Sequence, residues 1–408
     1  MLRTKLVLER FSEHGGLVER KIQPGRSFLK GFIELLYVQH AEIPYSGPWW
    51  MRNIDQVNHN VDTYSSSPYF KANLRVGSTP GGTFVYVPVN AYRFPVIWSA
   101  TFPGASLGLV IGNGTAPVTP TDRRLDMMFG PGKRPPDGSP VRVEYCDVGD
   151  DADYEIYGTR WCAAPFIPRF THRLTSVKVK IYREGNPGDL AVRIRGANMQ
   201  PSSTDDPDPG SGLDLASGAI PQAAMPGSSP GALIECAFPS PVDVYKGHLY
   251  YIILYISGGD ASNCVHWRYD TADPLIERPI RNQYGNYRQT SSNSGASWSE
   301  STNSAWIFEE YGQSIGEFEI GGCDLHDMTI SNPNAQFTIK RYFANLCGQA
   351  LAVNEVGLVA FAGRTYESGG YTYPSGSIFL IARDLVSPTV VVNNGEILRV
   401  SYIPQITV

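Results

Sequence analysis

Apolar and polar side chains alternate along much of this chain, and a two-residue period is typical of β-strands with one buried face. Near the start of the chain, Leu6 and Leu8 fall on one face while Glu9 falls on the other. A His-Gly-Gly turn at 14–16 and a second short run at 17–22 complete a predicted hairpin.

One segment has the three- and four-residue spacing of a helix instead. Its apolar positions are Phe28, Leu29, Phe32, Ile33 and Leu36. Ser27 is a suitable N-cap, and the segment must end before Pro44, so we predict one short helix over 28–38.

The middle of the chain carries two alternating runs on either side of a Gly- and Pro-containing turn at 183–189. Both runs are predicted to face one core; their apolar members are Val177, Val179 and Ile181 before the turn and Leu190, Val192 and Ile194 after it. We expect these runs to form a hairpin. The continuous apolar run at 249–256 is typical of a central strand that is covered on both faces.

A second hairpin is predicted near the C-terminus, where apolar runs at 390–392 and 397–402 flank Asn393-Asn394-Gly395. The Asn-Gly pair favours such a turn because both residues tolerate positive φ. Strand patterns therefore occupy both ends of the chain as well as its middle.

The predicted architecture is all-β with two domains. A β-sandwich base domain with one short helix is assembled from both termini, 1–150 and 314–408, and a second β-sandwich at 151–313 interrupts it. The acidic stretch at 147–153 is the predicted linker into the inserted module. Elements close in sequence tend to lie close in space, which favours this simple closure of the base.

Composition agrees with an all-β protein that has many turns, because only 18% of residues are charged while 41 are Gly and 31 are Pro. A net charge of −5 without a basic block argues against nucleic-acid binding. No apolar run is long enough to cross a membrane, and the charged N-terminal run is not a signal peptide. We therefore expect synthesis in the cytoplasm without export by this route and without membrane insertion.

Enzymatic chemistry finds little support in the sequence. Two Gly-x-Ser-x-Gly matches, at 104–108 and 227–231, lack the strand-then-helix context of a nucleophile elbow. The six cysteines form no CxxC pair, so we predict buried thiols and no zinc cluster. The expected protein is not an enzyme and has no cofactor.

Two acidic clusters are weak candidates for a structural calcium ion, since calcium prefers several oxygen ligands. They are Asp205, Asp206 and Asp208 in a long polar loop, and Asp150, Asp151 and Asp153 in the predicted linker. The alternative is that these carboxylates are simply solvated.

Aromatic residues near predicted loops of the inserted module are candidates for sugar binding, which uses exposed rings with polar neighbours. The candidates are Trp267, Tyr269, Tyr284, Tyr287 and Trp298, with Arg288 and Asn286 as polar neighbours. The alternative, which average tryptophan burial favours, is that Trp267 and Trp306 belong to the sandwich core and that Trp298 packs in a turn.

Glu355 lies within an apolar run and is therefore either exposed at an edge or buried and paired. Because an unpaired buried charge is too costly, we predict a structural ion pair with Arg341 or Arg383.

Several stretches resemble a recurrent family of uncharacterised virion structural proteins of tailed bacteriophages. These stretches are 108–119 before the middle module and 337–341, 353–358, 379–384 and 390–402 after it. The middle module is similar to the jelly-roll, carbohydrate-binding-like domains of phage appendages and bacterial surface proteins.

The resemblance implies a virion structural protein, in a capsid decoration, a neck or a tail appendage, whose partners are other virion proteins. It also implies a small symmetric homo-oligomer such as a trimer. Large apolar groups mark interfaces, so Phe28, Phe32, Trp49 and Trp50 are the predicted contact residues. The alternative is an adhesin that attaches to host-surface glycans through the module.

Overall fold

The computed structural model describes residues 2–25, 28–30, 32–33, 50–52, 55–56, 58–62, 73–74, 108–147, 149–198, 208–209, 213–271, 288–301, 304–325, 328–331, 334–368 and 371–407. The chain divides into two compact units. Unit 1 comprises Met1–Ile54, Asn58–Pro136 and Ser314–Val408, and unit 2 comprises Asp55–Val57 and Asp137–Gln313.

Unit 1 takes strands from both sides of the insertion. Before it lie β1 (Leu2–Phe11), β2 (Leu17–Gly25), β3 (Trp50–Arg52), β4 (Asn58–Asp62), β5 (Asn73–Leu74), β6 (Gly108–Gly112) and β7 (Gly130–Pro131). The predicted N-terminal hairpin is confirmed, since β1 and β2 pair in antiparallel fashion.

Unit 2 contributes the central strands of the chain. These are β8 (Val141–Cys146), β9 (Ala152–Ile156), β10 (Trp161–Phe166), β11 (His172–Glu184), β12 (Leu190–Asn198), β13 (Asp208–Pro209), β14 (Ala216–Ile220), β15 (Ala232–Val244), β16 (Tyr250–Tyr255), β17 (Cys264–Asp270), β18 (Arg288–Ser291), β19 (Ser299–Ser301), β20 (Ala305–Trp306) and β21 (Phe308–Gln313). A short 3₁₀ turn at Gln222–Ala224 precedes β15.

The chain then returns to unit 1 for its remaining strands. They are β22 (Glu317–Leu325), β23 (Thr329–Ser331), β24 (Asn334–Gln336), β25 (Ile339–Ala344), β26 (Leu351–Ser368), β27 (Tyr371–Val392) and β28 (Ile397–Thr407).

Strands from the two ends of the chain are direct neighbours in unit 1. One sheet has the order β2-β1-β28-β25-β22-β7, with β24 beside β28 and β23 beside β24, and a second has the order β27-β26-β6. Thus β1 pairs with β28, and β6 pairs with β26, across the insertion. Leu8 and Val400 of the first sheet and Ile111 and Phe379 of the second belong to one buried cluster. The two sheets therefore enclose a single core, as in a β-sandwich.

Unit 2 is also a β-sandwich. One sheet has the order β13-β12-β16-β10-β18-β19 with β14 beside β12, and the other has the order β20-β17-β11-β21-β8 with β15 beside β11 and β9 beside β17. Val177 and Val179 of one sheet meet Val192 and Ile194 of the other in a shared core. The predicted central strand is confirmed as β16, since Ile252 faces this core while its neighbours Tyr251 and Ile253 are buried on the other face.

The start of unit 2 differs from the predicted boundary at residue 151. Strand β8 pairs with β21 at the end of the insertion, with Val141 opposite Gly312, and so unit 2 begins at Asp137. The predicted linker at 147–153 is partly strand, because β9 starts at Ala152.

The predicted hairpin around 183–189 is wrong, although its buried residues were identified correctly. Strand β11 belongs to one sheet and β12 to the other, so the connection crosses the sandwich. Both strands direct alternate side chains into the same core, and this pattern is identical for a hairpin and for a crossing connection.

The predicted C-terminal hairpin is wrong for the same reason. Strands β27 and β28 lie in different sheets of unit 1, and Asn393–Gly395 turns the chain from one sheet to the other. The Gly395 amide donates to the Asn345 carbonyl at 2.7 Å, which attaches this turn to the end of β25.

The predicted helix lies largely outside the described residues. Lys30, Phe32 and Ile33 are helical, and nothing is described from residue 34 to residue 49. Phe28 and Phe32 stack with ring centroids 4.3 Å apart and pack against the unit 1 core.

The predicted buried ion pair at Glu355 is confirmed, with Arg383 as the partner. Nε of Arg383 donates to Oε2 of Glu355 at 2.8 Å, and the carboxylate is 0% exposed. Arg341 instead donates to the carbonyls of Leu109 and Gly321, each at 2.9 Å.

Candidate functional site

Strands β9, β17 and β11 are neighbours in one sheet of unit 2. They place polar side chains on the face of this sheet that points away from the core. Because side chains alternate along a strand, Cys264 and His266 of β17 lie on this face while Trp267 enters the core. In the register of β11 with β17, Glu184 is opposite Cys264 and Tyr182 is opposite His266. The sequence thus brings together residues that are about 80 positions apart.

The thiol of Cys264, the imidazole of His266 and the carboxylate of Glu184 form a compact group whose donor atoms all lie within 4.8 Å of one another. Sγ of Cys264 is 3.3 Å from Nε2 of His266, and this nitrogen is 3.6 Å from Oε2 of Glu184. Cys264 and His266 are buried, while the Glu184 side chain is 60% exposed. We call these three residues the Cys-His-Glu cluster.

Asp153 and Tyr182 hold the imidazole in place. Nδ1 of His266 donates to Oδ1 of Asp153 at 2.9 Å, and the Tyr182 ring stacks on the imidazole at 4.3 Å with an interplanar angle of 3°. The Tyr182 hydroxyl donates to the other oxygen of Asp153 at 3.1 Å. Burial alone would raise the pKa of Asp153, but the hydrogen bonds from His266 and Tyr182 outweigh it, so the pKa is lowered. In the tautomer with its proton on Nδ1, the lone pair of Nε2 is directed at the cluster.

The acidic residues beside the cluster are neutralised by bases. Arg268 donates to Oδ1 of Asp150 at 2.6 Å and to Oδ2 of Asp153 at 3.0 Å, and Lys180 also pairs with Asp150. The hydroxyl and amide of Thr271 both donate to Asp151. The calcium hypothesis for these three aspartates stays a prediction, and cations and donors of the chain already hold oxygens of all three.

A thiol, an imidazole and a carboxylate in series resemble a nucleophile–base pair, but the setting of Cys264 does not suit nucleophilic catalysis. Its side chain is fully buried, and burial together with the Glu155 and Glu184 carboxylates raises the pKa of Cys264 to about 11. A reactive cysteine needs an exposed thiolate and a lowered pKa. A metal ion can still take such a thiol as a ligand, because binding of the metal itself displaces the proton.

The structure contradicts the prediction that Trp267 is a sugar-binding platform. Its ring is 0% exposed and stacks on Trp306 with centroids 4.4 Å apart. Its indole nitrogen donates to the Ile307 carbonyl at 3.0 Å. Trp267 is therefore a core residue, as the alternative interpretation held.

Tyr269 and Arg288 belong to the same packed group. The guanidinium carbon of Arg288 lies 4.1 Å from the centre of the Tyr269 ring and 5.3 Å from that of Trp306. Tyr269 is partly buried against the core. These contacts indicate a cation–π role in packing, which is worth about 0.5–2 kcal/mol.

Trp298 lies on the other sheet, in a group of half-buried rings. Trp161 and Tyr255 stack there with centroids 4.1 Å apart, and Arg193 lies 5.4 Å from the Tyr255 ring centre. Trp298 and Trp161 pack on the same small apolar cluster, and the buried indole nitrogen of Trp298 has no hydrogen-bond partner among the residues that the structure describes. We call Trp161, Tyr255, Trp298 and Arg193 the aromatic face.

Several predicted residues fall outside the described part of the chain. These are Tyr284, Asn286, Tyr287, Trp49, Asp205 and Asp206. For Asp208 and Trp50 the backbone lies in β13 and β3, and their side chains are not described. Phe28 and Phe32, which were predicted to be interface residues, are partly buried against the unit 1 core, and their contact role stays a prediction.

The Cys-His-Glu cluster was missed because its members are distant in sequence and the cysteine spacing contained no CxxC pair. One pattern could have found part of it: Cys264-Val265-His266 places a thiol and an imidazole on the same face of a strand. The position of Glu184 depends on strand pairing, which the sequence did not reveal.

No protein-family model matches this chain, and no curated protein matches it either. Within the described residues, none of the helical segments has the length and apolar character required to cross a membrane.

Proposed function

We propose that this chain is a structural protein of a tailed-phage virion, made in the host cytoplasm, which carries unit 2 as an inserted, displayed module. The observation that carries the proposal is the pairing of β1 with β28 and of β6 with β26 across the insertion. This pairing completes the core of unit 1 from the two ends of the chain. It supports a division of labour in which unit 1 attaches to the particle and unit 2 is presented.

Exposed apolar side chains on unit 1 support its role in attachment and self-association. Ile22 of β2 is 50% exposed, and Met328 and Ile330 beside β24 are 63% and 73% exposed. Strand β2 ends its sheet in the described part of the chain. Exposed apolar groups of this size favour contact with another protein. They join Phe28 and Phe32 among the contact residues of the proposal.

The β-sandwich of unit 2 supports a display role of the jelly-roll type. All of its described strand pairs are antiparallel, and its two sheets share one core. Such a sandwich folds around its own core and can therefore be carried by another domain.

Immunogold labelling of gradient-purified phage particles tests this proposal. Antibodies against the full chain are expected to decorate intact particles at regular positions, and these positions identify a capsid, neck or tail location. The contrary result is a chain that stays in the particle-free lysate and leaves the particles unlabelled.

Self-association has its own test. Light scattering is expected to show a small symmetric oligomer, such as a trimer, that Ile22→Lys or Ile330→Lys dissociates. Leu233→Lys, at a residue of unit 2 that is 38% exposed, is the matched control and should leave the mass unchanged. A monomeric wild-type chain would contradict the self-association.

The second candidate function is a glycan-binding adhesin, and the aromatic face favours it. Half-buried rings beside the guanidinium of Arg193 provide the apolar platform and hydrogen-bond donors that sugars use. Glycan-array binding that is lost in Trp298→Ala and kept in Tyr342→Ala, an exposed aromatic of unit 1, would promote this function. An array without binding would leave the structural role ahead.

A further inference from the structure

We infer that Glu184, Cys264 and His266 bind a zinc ion on the outer face of the unit 2 sheet, a site that goes beyond the proposed structural role. Three observations carry the inference. They are the convergence of three donor types, the distances between the donors, and the carboxylate that orients the imidazole.

The donor set is typical of zinc. Thiolate sulfur, imidazole nitrogen and carboxylate oxygen are the three ligand types that zinc takes in proteins, and the mixture of soft and hard donors disfavours calcium and magnesium. Three protein ligands leave the fourth position for water, and the exposed side chain of Glu184 opens this position to solvent.

Two of the three donor–donor distances fit a tetrahedral ion, and the third pair, the Cys264 thiol and the Glu184 carboxylate, lies within 4.8 Å. Neighbouring donors around zinc lie roughly 3.3–3.6 Å apart, given zinc–ligand distances of about 2.0–2.3 Å. The Sγ–Nε2 distance of Cys264 and His266 is 3.3 Å, and the Nε2–Oε2 distance of His266 and Glu184 is 3.6 Å. Glu184 lies at the end of β11, so its exposed side chain can adjust to the ion without moving the core.

Asp153 gives the imidazole the arrangement of a metal ligand. A ligating histidine usually donates its second ring nitrogen to a carboxylate, which fixes the tautomer and strengthens the ligand. His266 makes this bond to Asp153 at 2.9 Å, and Tyr182 and Arg268 hold the carboxylate in turn. The Cys264 thiol gives up its proton to solvent when the ion binds.

A hydrogen bond from the Cys264 thiol to the His266 imidazole is the alternative explanation of their contact. It accounts for the 3.3 Å distance but not for the approach of Glu184 from the neighbouring strand. A zinc ion accounts for the approach of all three donors. It would join the end of β11 to the start of β17.

Metal binding by the full-length, tag-free chain tests the inference. The chain is stripped with EDTA, exposed to Zn²⁺ and analysed by native mass spectrometry, and a parallel sample receives Co²⁺. We expect one zinc per chain and a thiolate-to-cobalt charge-transfer band in the near ultraviolet.

Variants assign the site. Glu184→Gln changes an exposed side chain, so it should keep the fold while weakening zinc binding by a factor of about 10 or more. Cys264→Ser should abolish the cobalt band, and Cys236→Ser, at another buried cysteine of unit 2, should keep it. Asp153→Asn should weaken zinc binding by a factor of about 10 to 100.

Two results would overturn the zinc site. One is a wild-type chain that retains no zinc after dialysis. The other is zinc binding that stays the same in Glu184→Gln and in Cys264→Ser, because the metal would then be held elsewhere.

Discussion

Arg383 donates through Nε to Oε2 of Glu355 at 2.8 Å, and both side chains are almost completely buried in unit 1. The same carboxylate also accepts hydrogen bonds from the backbone amides of Gly114, Asp126 and Met127. One buried charge on a strand after the insertion therefore holds a loop that precedes the insertion. Removal of the Glu355 charge should therefore destabilise the chain segments on both sides of the insertion.

Glu355→Gln is expected to destabilise unit 1 by up to about 3–5 kcal/mol, because the buried Arg383 guanidinium loses the Glu355 carboxylate and keeps the Asp122 carboxylate at 2.8 Å. Denaturant-dependent hydrogen exchange of peptides from β26 measures the change within unit 1. Glu319→Gln is the matched control, since Glu319 pairs with Lys133 at an exposed position and should cost less than about 1 kcal/mol. Equal effects of the two variants would show that the buried pair is not structural.

Gly114 is expected to tolerate no side chain, because Glu355 and Asp126 approach its backbone closely. A Cβ there would lie 2.4 Å from Cβ of Asp126 and 2.6 Å from Oε1 of Glu355. Gly114→Ala should therefore destabilise unit 1 by about 1–3 kcal/mol. Gly322→Ala, where a Cβ meets nothing within 4 Å, should cause no loss. Matching denaturation midpoints for the two variants would contradict the packing of this loop.

Unit 2 should lose stability as the pH rises from about 4.5 to 7 because of Glu144. Burial, opposed by Arg169, raises the pKa of Glu144 from 4.5 to about 7. A group whose pKa is raised by folding stabilises the fold below its unfolded pKa, and this contribution is lost as the pH passes the folded value. The loss is on the order of 3 kcal/mol.

Glu144→Gln should flatten this part of the stability profile and leave unit 2 more stable than wild type at pH 7. Hydrogen exchange of β8 peptides at several pH values is the measurement. A second pH-dependent loss of stability remains in the variant, and it comes from His172. Burial lowers the pKa of His172, but the Glu310 carboxylate outweighs burial and raises it. The stabilisation from His172 is therefore lost only as the pH rises above about 6.5. An unchanged slope between pH 4.5 and 7 would rule out Glu144 as its source.

Trp267 and Trp298 should respond differently to truncation, although the sequence suggested one role for both. Trp267→Ala removes a fully buried ring and should cost about 3–5 kcal/mol. Trp298→Ala removes a half-buried ring and should cost less, about 1–2 kcal/mol. Thermal unfolding of the full chain compares them, and equal losses would place Trp298 in the core.

Sequence periodicity identified buried faces better than strand partners. The alternation around Val179 and Val192 predicted a shared core, but it could not show that the two strands lie in different sheets. A two-residue period records which side chains point inward, and a turn composition records only that the chain bends. The sequence limited the buried partner of Glu355 to two candidate arginines, because a buried charge without a partner is too costly. This argument does not depend on the order of the strands.

The candidate site depended on information that the sequence did not carry. Cys264 and His266 share a face by simple alternation, but Glu184 and Asp153 reach them only through pairing of β17 with β11 and β9. Strand register across about 80 or more residues is set by packing of the whole sandwich. Trp267 shows a second limit of the sequence. A buried ring and a sugar-binding ring can have the same local sequence context, so the sequence alone could not show that Trp267 is buried.

The strands that open and close the insertion, β8 and β21, are hydrogen-bonded neighbours, with Val141 directly opposite Gly312. The chain therefore enters and leaves the inserted sandwich at adjacent positions. Recombination within the coding sequence could replace this module with another whose ends lie equally close. The pairing of β1 with β28 would survive such an exchange, so unit 1 would keep its core while it gained a different module in one genetic step.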